Sequence, residues 1–433
     1  RQFTSLQVAI LALGSLCFSS AYAGSTLVPM SDAELSATRG QALMSMSYIA
    51  PTDAASNSNT NGNMGFYRLA LDAQLELNAN IKKLQLGCGG VNGAGACDID
   101  IDYLSLSGGT VDSTSAERAA SSAVITNPFL EFAVKNPNSA STREIQGFRL
   151  SAKSLSGLLT FGLQNGDAAS GINSLSGYLI TKPTGGTVTT NPYYGITQDE
   201  TNTAITGRAT VLGQGVTVPF TSTAYNLNLG VGTGTLSMGE QIITGKRINT
   251  ANLKATATVG GLAISGTLNA TASVLGIPIP ISGNVTGSVD NLDVNVAIKQ
   301  SLGYFHAAQL NGSGYLSVQG VNILWPEAAS TAQTGWWLEL TNPIDIGQIT
   351  PTGSVDIALS TIVDALGQVS AYLNSPGHAV ECGILAANCL IVGNLPVGTV
   401  DLTGKTPASM TLTNVVLQKQ NFSANCYGSL KFC

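Results

Sequence analysis

The stretch CDIDIDYLSL, residues 97–106, decides how this chain folds. Its strict alternation puts three aspartates on one face of an extended strand and two isoleucines on the other face. An EF-hand loop that began at Asp98 would need glycine at its sixth position and an acid at its twelfth, where this chain has Tyr103 and Gly109. The pattern therefore predicts a β-strand, and a calcium site of another kind stays open as an alternative.

The preceding stretch, residues 79–88, is the matching strand of a β-hairpin when Cys88 is placed opposite Cys97. Apolar residues then face apolar partners, and two polar residues face aspartates: Leu86 with Ile99, Leu84 with Ile101, Ile81 with Leu104, Ala79 with Leu106, Lys83 with Asp102 and Gln85 with Asp100. The apolar face changes sides on both strands at the same level. This change predicts a ribbon that twists or bulges there and packs against two different layers.

The cysteines give a second constraint on the fold. Six of the seven fall into three close pairs, and local spacing favours the disulfides Cys88–Cys97, Cys382–Cys389 and Cys426–Cys433. Disulfides indicate an oxidising compartment. A zinc site is disfavoured, because no pair has CxxC spacing and the two histidines are isolated.

Residues 1–23 have the features of a secretory signal peptide, with an apolar core at residues 8–13 and alanines at positions −3 and −1 of a cleavage site after Ala23. We therefore expect export through the periplasm and an extracellular or cell-surface location. The signal contains one of the 19 basic residues and no acid, which leaves 18 basic against 25 acidic residues. This acidic balance argues against nucleic acid as a partner.

From about residue 65 onward, apolar residues recur at every second position between glycine, asparagine and proline breaks. The predicted fold is all-β: a multi-stranded antiparallel β-sandwich or an elongated β-sheet protein with a disulfide-closed β-ribbon and an N-terminal arm. Two short helices are expected, at residues 114–122 with a capping box and at residues 361–373. The predicted divisions are a signal peptide (1–23), an arm and linker (24–63), an N-terminal β-domain with the Cys88–Cys97 hairpin (64–184) and a C-terminal β-rich region (185–433).

The N-terminal arm contains a short strand in which methionines and a tyrosine alternate with serines. Composition predicts a flexible linker after it, at residues 52–63. The strand could add to the sheet edge of a neighbouring subunit, and head-to-tail repetition of that contact would build a filament. The alternative is that the strand folds back into its own domain. The residues assigned to this assembly arm are Leu43, Met44, Met46, Tyr48 and Ile49.

Catalytic chemistry finds little support in the sequence. No GxSxG motif occurs, and neither histidine has an acid and a nucleophile nearby in the sequence. Glu327 and Glu339 lie near the tryptophans and are the candidate carboxylates for glycoside hydrolysis. Trp325, Trp336 and Trp337 could stack a sugar or an alkyl chain, although packing in a core or an interface is the favoured interpretation. We therefore expect no enzymatic activity, no cofactor and no metal site.

Six segments carry a family resemblance: MSDAELS (30–36), GQAL (40–43), NANIKKLQLGCGGVNG (78–93), CDIDIDYLSLSG (97–108), TNPFLEF (126–132) and SASTRE (139–144). They resemble the Fil-type (FilA-like) pilus assembly proteins of Acinetobacter-like bacteria. The resemblance implies a secreted structural component of a cell-surface filament or pilus. Its partners would be further copies of itself and other pilus or secretion components, and it could associate with the outer membrane. The alternative function is a secreted or surface-bound protein that binds an apolar ligand or a glycan.

Overall fold

The computed structural model describes residues 44–163, 169–211, 216–351, 353–381 and 393–418. The part of the chain from Met44 onward forms one compact unit. The expected signal peptide, Leu43 and the predicted pairs Cys382–Cys389 and Cys426–Cys433 lie outside the described residues.

Strands dominate the described residues, which confirms the all-β prediction. In chain order they are β1 (Met44–Ile49), β2 (Met64–Leu71), β3 (Gln74–Leu77), β4 (Ala79–Leu86), β5 (Ile99–Ser107), β6 (Ala123–Lys135), β7 (Glu144–Thr160), β8 (Ile172–Thr181), β9 (Thr184–Thr189), β10 (Tyr193–Thr197), β11 (Thr206–Val211), β12 (Val216–Leu229), β13 (Thr233–Met238), β14 (Gln241–Ile248), β15 (Thr250–Gly260), β16 (Leu262–Val274), β17 (Ile277–Asp290), β18 (Leu292–Ser301), β19 (Ala307–Gly312), β20 (Gly314–Gln319), β21 (Gly335–Leu340), β22 (Ile344–Asp345), β23 (Gln348–Thr350), β24 (Val380–Glu381), β25 (Gly393–Asp401), β26 (Ala408–Thr413) and β27 (Val416–Gln418).

The described residues contain few helices, and most of these are short. The α-helices are α1 (Ser58–Asn61), α2 (Ser115–Ala120), α3 (Gln198–Thr201) and α4 (Leu359–Asn374), and 3-10 turns span Ala54–Ser56, Gly90–Asn92 and Leu302–Tyr304. Helices α2 and α4 confirm the two helices predicted from the sequence. The Thr114 hydroxyl accepts from the amide of Glu117 and the Glu117 carboxylate accepts from the amide of Thr114, so the predicted capping box is present. None of the helices in the described residues is long and apolar enough to cross a membrane.

The first sheet has thirteen strands, with the order β1–β2–β6–β7–β19–β22–β8–β21–β20. Strand β20 also pairs with β7, so the pairings from β7 to β20 close into a ring. Strand β3 joins β6, β14 joins β8, and the β4–β5 ribbon joins through β5. Strand β1 is therefore the terminal strand of this sheet, and it pairs antiparallel with β2 of its own chain.

Two seven-stranded sheets hold most of the second half of the chain. One has the order β24–β11–β12–β16–β17–β25 with β10 added to β12, and the other has the order β26–β18–β15–β13–β9–β23–β27. Every second residue of β15 and β18 is buried, as the period-two pattern predicts. Strands β25 and β26 pair parallel to β17 and β18. The sheets are therefore mixed, because the chain returns to them only after helix α4 instead of through a tight hairpin.

One hydrophobic core connects the halves of the molecule. Buried residues as distant in sequence as Ile99, Leu236, Val296 and Leu395 belong to it. Buried residues on both sides of the expected division at residues 184/185, such as Leu179 and Val188, belong to this core. Helix α4 contacts both β11 and β25, which lie on opposite sides of β12, β16 and β17, so that sheet curls around the helix.

The β4–β5 ribbon has the register that the sequence predicts. The pairs run from Ala79 opposite Leu106 to Leu86 opposite Ile99, and a disulfide joins Cys88 to Cys97. The ladder skips one pair at Tyr103, whose φ of 51° lies in the left-handed region. The predicted irregularity therefore occurs at the level where the apolar face changes sides. Before it, β5 pairs with β8, and after it, β5 pairs with β7.

The segment between β1 and β2 differs from its expected flexible state. It forms a 3-10 turn and helix α1, and Ser56 is buried. The Asn61 amide group donates to the carbonyl of Leu324 at 2.7 Å, and its oxygen accepts from the amide of Leu324 at 2.9 Å. Composition did not predict this order, because asparagine favours solvated loops unless a distant backbone segment offers it hydrogen-bond partners.

Candidate assembly surface

The first sheet carries two adjacent rows of apolar side chains on one face. Cross-strand pairing aligns them over six neighbouring strands, β1, β2, β6, β7, β20 and β21. The first row is Met46, Leu69, Leu130, Leu150, Leu316 and Leu338, and the second is Tyr48, Tyr67, Phe132, Phe148, Val318 and Trp336. Five strand spacings of ~4.8 Å make each row roughly 24 Å long. We call these twelve residues the apolar face.

The apolar face is open to solvent at Met46, Tyr48 and Leu150, whereas Leu316, Trp336 and Leu338 at its far end pack against the hydrophobic core. None of its residues is fully buried, and Met46 is 82% exposed, Tyr48 41% and Leu150 38%. It contains no charged side chain. Exposed apolar patches of a few hundred Å² on a folded chain commonly mark interaction sites, since a contiguous apolar surface is costly to keep in water. The face is therefore the strongest candidate for a contact with a partner.

Aromatic contacts fix the geometry of the second row. The rings of Tyr48 and Tyr67 lie 4.5 Å apart, and those of Phe132 and Phe148 lie 5.4 Å apart. Tyr48 lies over Gly65, where an added Cβ would approach its ring to 2.9 Å. Burial raises the pKa of the Tyr48 hydroxyl, and Tyr67 raises it further, so Tyr48 stays neutral at physiological pH. The row is thus uncharged as well as ordered.

Strand β1 is an unprotected sheet edge. Its inner side pairs continuously with β2, and no strand among the described residues pairs with its outer side. Edge strands usually carry lysine, proline or a bulge that prevents pairing with another chain. The sequence MSMSYI has no charged residue and no proline, and its register with β2 is regular. Of the predicted arm residues, Met44, Met46 and Tyr48 are exposed, whereas Ile49 packs against a second, smaller cluster of buried residues that includes Phe66.

A buried ionic row lies on the other side of the same strands. Glu131 on β6 faces Arg68 on β2 and Arg149 on β7. The Glu131 carboxylate accepts from Nε of Arg68 at 2.9 Å and pairs with the guanidinium of Arg149. Both Glu131 and Arg149 are almost completely buried. Burial lowers the pKa of Arg149, and the charge of Glu131 opposes this effect. This ionic row therefore links β2, β6 and β7, three strands of the apolar face, on the opposite side of the sheet.

The carboxylates considered for hydrolysis have structural partners. Glu339 is buried and accepts from the amides of Ala329 at 2.8 Å and Ser330 at 3.0 Å. The side chain of Glu327 is 78% exposed and lies 3.6 Å from the guanidinium of Arg68. Burial, with the charge of Glu339, raises the pKa of Tyr315, whose hydroxyl donates to Glu339. The Glu339 carboxylate is thus engaged in holding the loop before β21.

The tryptophans divide between core and surface. Trp325 and Trp337 are fully buried, as the favoured interpretation expects. Trp336 belongs to the apolar face, and its amide donates to Asp98 at 3.0 Å. The sequence shows three equivalent aromatic residues, and only the fold separates Trp336, which is half-buried, from the two fully buried tryptophans.

The partners of Asp98, which lies just before β5, differ from those of Asp100 and Asp102 within the strand. Asp98 is 3% exposed, and it accepts from the amide of Trp336 and the side chain of Asn92, which donates at 3.1 Å. Asp100 and Asp102 face outward, and the ammonium of Lys83 lies 2.8 Å from one and 3.0 Å from the other. Among the described residues no group of three histidine, cysteine or acidic side chains is arranged to hold a metal ion. The cation between the two exposed carboxylates is Lys83.

The two histidines also have local roles. His306 is buried, and its Nδ1 lies 2.6 Å from the carbonyl oxygen of Phe161. His378 lies in a turn, with Nδ1 2.8 Å from the hydroxyl of Ser375 and its ring 4.2 Å from that of Tyr372.

We expect Asp100→Asn to change the pH dependence of stability. Burial alone would raise the pKa of Asp100, but hydrogen bonds from Lys83, Gln85 and Asn173 outweigh it and lower the pKa. A lowered folded-state pKa stabilises the fold above the unfolded-state value of about 3.9, and this contribution is lost as pH falls through the folded-state pKa. Urea unfolding from pH 7 to pH 2 should therefore show a difference between wild type and Asp100→Asn that shrinks below about pH 4. If the difference in unfolding free energy stayed constant over this pH range, it would contradict a stabilising role for the ionised carboxylate of Asp100.

Comparison of the sequence with protein-family models and with curated proteins, and of the structure with solved structures, returned no match. The candidate site therefore stands on its own geometry. Sequence reasoning identified the β1 end of the apolar face through the alternation of residues 44–48. It recognised alternating apolar residues in the later strands but did not predict that five of them align with β1 to form one face.

Proposed function

We propose that this protein is a secreted, self-associating structural component of a cell-surface filament or pilus, exported through the periplasm. The observation that carries the proposal is the uncharged apolar face that ends at the unprotected edge of β1. A structural subunit needs such a surface, whereas a protein that works alone gains nothing from leaving it exposed. The predicted signal peptide and the resemblance to Fil-type proteins support the same role, which requires no catalytic step.

The subunit contact that we propose differs from the arm exchange that the sequence analysis considered, because the structure has the alternative arrangement, in which the strand folds back into its own domain. Strand β1 is already paired with β2 in its own chain over all six of its residues. Entry into a neighbour would first break that ladder. A contact made by the apolar face and the free side of β1 keeps the ladder intact, and it is the contact that we favour.

Negative-stain microscopy of the purified mature protein tests this function. We expect filaments or regular oligomers whose formation depends on protein concentration. Met46→Lys should reduce assembly, because it puts a charge in the first row at a position that is 82% exposed and contributes little to folding. This substitution is a cleaner probe than deletion of residues 24–49, which would uncover β2. Uniform monomers at every concentration would contradict the proposal.

A second candidate function is binding of a glycan or an apolar ligand. The aromatic row of Tyr67, Phe132, Phe148 and Trp336 favours it, because ring faces stack on sugars and alkyl chains. The void between α4 and its sheet is a poor alternative location, because its volume of about 20 Å³ is enough only for a single water molecule. Titration of tryptophan fluorescence with glycans or alkanes should then give a saturable change that is lost in Trp336→Phe. The absence of any change would argue against this function.

A further inference from the structure

We infer that the outer edge of β1 pairs antiparallel with β1 of a second copy, with Met46 opposite Met46 across a two-fold axis. This inference rests on the proposed function and specifies the partner and the geometry of one subunit contact. A two-fold contact closes at a dimer, so filament growth would join such dimers through a second contact, for which the apolar face is the candidate. A two-fold contact uses the same patch on both copies, so the patch must complement itself. The sequence MSMSYI meets this requirement.

The alternation of β1 selects the register. Directly opposite residues in an antiparallel pair lie on the same face of the sheet. With Met46 opposite Met46, Met44 faces Tyr48 and Ser45 faces Ser47. Each of the five residues 44–48 then lies opposite a residue of its own kind, apolar opposite apolar and serine opposite serine. A shift of one residue would place methionine opposite serine. A shift of two would either place Ser45 opposite Ile49 or leave only Met44, Ser45 and Met46 of β1 paired. A thioether beside an aromatic ring is itself a favourable contact.

The position of the apolar face favours antiparallel over parallel pairing of the two β1 strands. An antiparallel pair related by a two-fold axis perpendicular to the sheet keeps the same face of both copies on one side. Row one would then continue from Met46 into Met46 of the second copy, and Tyr48 would continue into the Met44 position. A parallel pair would put the two apolar faces on opposite sides. Antiparallel pairing therefore joins two six-strand faces into one continuous surface of twelve strands.

Electrostatics permit this contact. Strand β1 has no charged residue, so two copies bring no like charges together. The proposed ladder uses the outer backbone groups of β1, with which no strand in the described ranges pairs. The strand is also held in place, because β2 pairs with all six residues and Tyr48 stacks on Tyr67. An ordered edge loses less conformational entropy on pairing than a free arm would lose.

In the proposed dimer, residue 46 of one copy lies directly opposite residue 46 of the other copy, and the test uses this arrangement. Met46→Lys and Met46→Glu should each dimerise about tenfold or more weakly than wild type, because like charges would face each other directly. A one-to-one mixture of the two variants should restore dimerisation through the opposite-charge pair. Analytical ultracentrifugation of the single variants and the mixture measures this. Wild type that stays monomeric at all concentrations, or a mixture no better than the single variants, would overturn the inference.

Cysteine cross-linking fixes the register independently. In the mature protein, which we expect to start after Ala23 and so to lack Cys17, Met46→Cys should form a disulfide-linked dimer under mild oxidation, since opposed Cα atoms in an antiparallel pair lie about 4.5–5.5 Å apart. Met44→Cys should cross-link to Tyr48→Cys in a mixture but much less to itself. Leu275→Cys, at a site that is 99% exposed, is the matched control and should stay monomeric. Equal cross-linking of all these variants would rule out the register.

These outcomes separate the inference from the proposed function. Filaments that persist in Met46→Lys would place the subunit contact elsewhere, so the function would stand and the β1 pairing would fail. Cross-linked Met46→Cys dimers without filaments under any condition would support the pairing and contradict the filament role.

Discussion

We expect Glu131→Ala to lower the free energy of unfolding by about 3–5 kcal/mol, the largest single-residue effect that we predict. Glu131 is completely buried and neutralises two guanidinium groups, those of Arg68 and Arg149. Its loss would leave Arg149 charged, buried and repelled by Arg68. Equilibrium unfolding in urea measures the effect. Glu144→Ala, at an exposed position on the neighbouring strand β7, is the matched control and should change stability by less than about 0.5 kcal/mol.

A double-mutant cycle shows whether the loss comes from the unpaired charge. Arg149→Leu alone leaves a buried carboxylate with one partner fewer, whereas Glu131→Leu with Arg149→Leu removes both charges. Replacement of a buried pair by apolar residues is often close to neutral, so the double variant should be more stable than the sum of the single losses implies. Additive losses would mean that packing, and not charge pairing, gives Glu131 its importance.

The second large effect is expected at Asp98, where alanine should cost about 3 kcal/mol. The Asp98 carboxylate accepts from the amide of Trp336 and from Asn92, and it lies 3.9 Å from the guanidinium of Arg247. Removal leaves a buried backbone donor without a partner, which carries the full cost of its lost hydration. It also separates the disulfide-closed loop from β21.

Thermal and urea unfolding of Asp98→Ala should show this loss, and Asp112→Ala at an exposed position is the matched control. Asp98→Asn keeps one acceptor oxygen and should lose about half as much stability as Asp98→Ala, because a hydrogen bond to a charged acceptor is roughly twice as strong as a neutral one. Equal stability of Asp98→Ala and wild type would show that water replaces the carboxylate.

The buried ionic row links stability to the proposed assembly. Arg68, Glu131 and Arg149 lie on β2, β6 and β7, directly beneath strands that present the apolar face. Arg149 also donates to the carbonyl of Pro326 at 2.9 Å. This hydrogen bond fixes the position of the loop that contacts helix α1. A flat surface for a partner needs strands in fixed register, and a network of buried charges with few alternative pairings fixes that register. Glu131→Ala should therefore impair assembly as well as folding.

Local sequence determined several elements of this protein. The register of the β4–β5 ribbon, the Cys88–Cys97 disulfide and the irregularity at Tyr103 all follow from alternation within about thirty residues. The capping box of α2 and the apolar spacing of α4 predict both helices for the same reason. Each of these features depends on residues that are close in the chain, so their spacing alone carries the information.

Only the tertiary structure decided the candidate surface. Asp98 contacts Trp336 across 238 positions, and Arg149 contacts Pro326 across 177. Alternation says that a strand has an apolar face, but it does not say which distant strand lies beside it. The alignment of β1, β2, β6, β7, β20 and β21, the burial of Glu131 between two arginines and the half-buried position of Trp336 all depend on that choice of neighbours. The choice is made by the packing of the whole sheet, because each pairing is stabilised by residues that the local sequence does not contain.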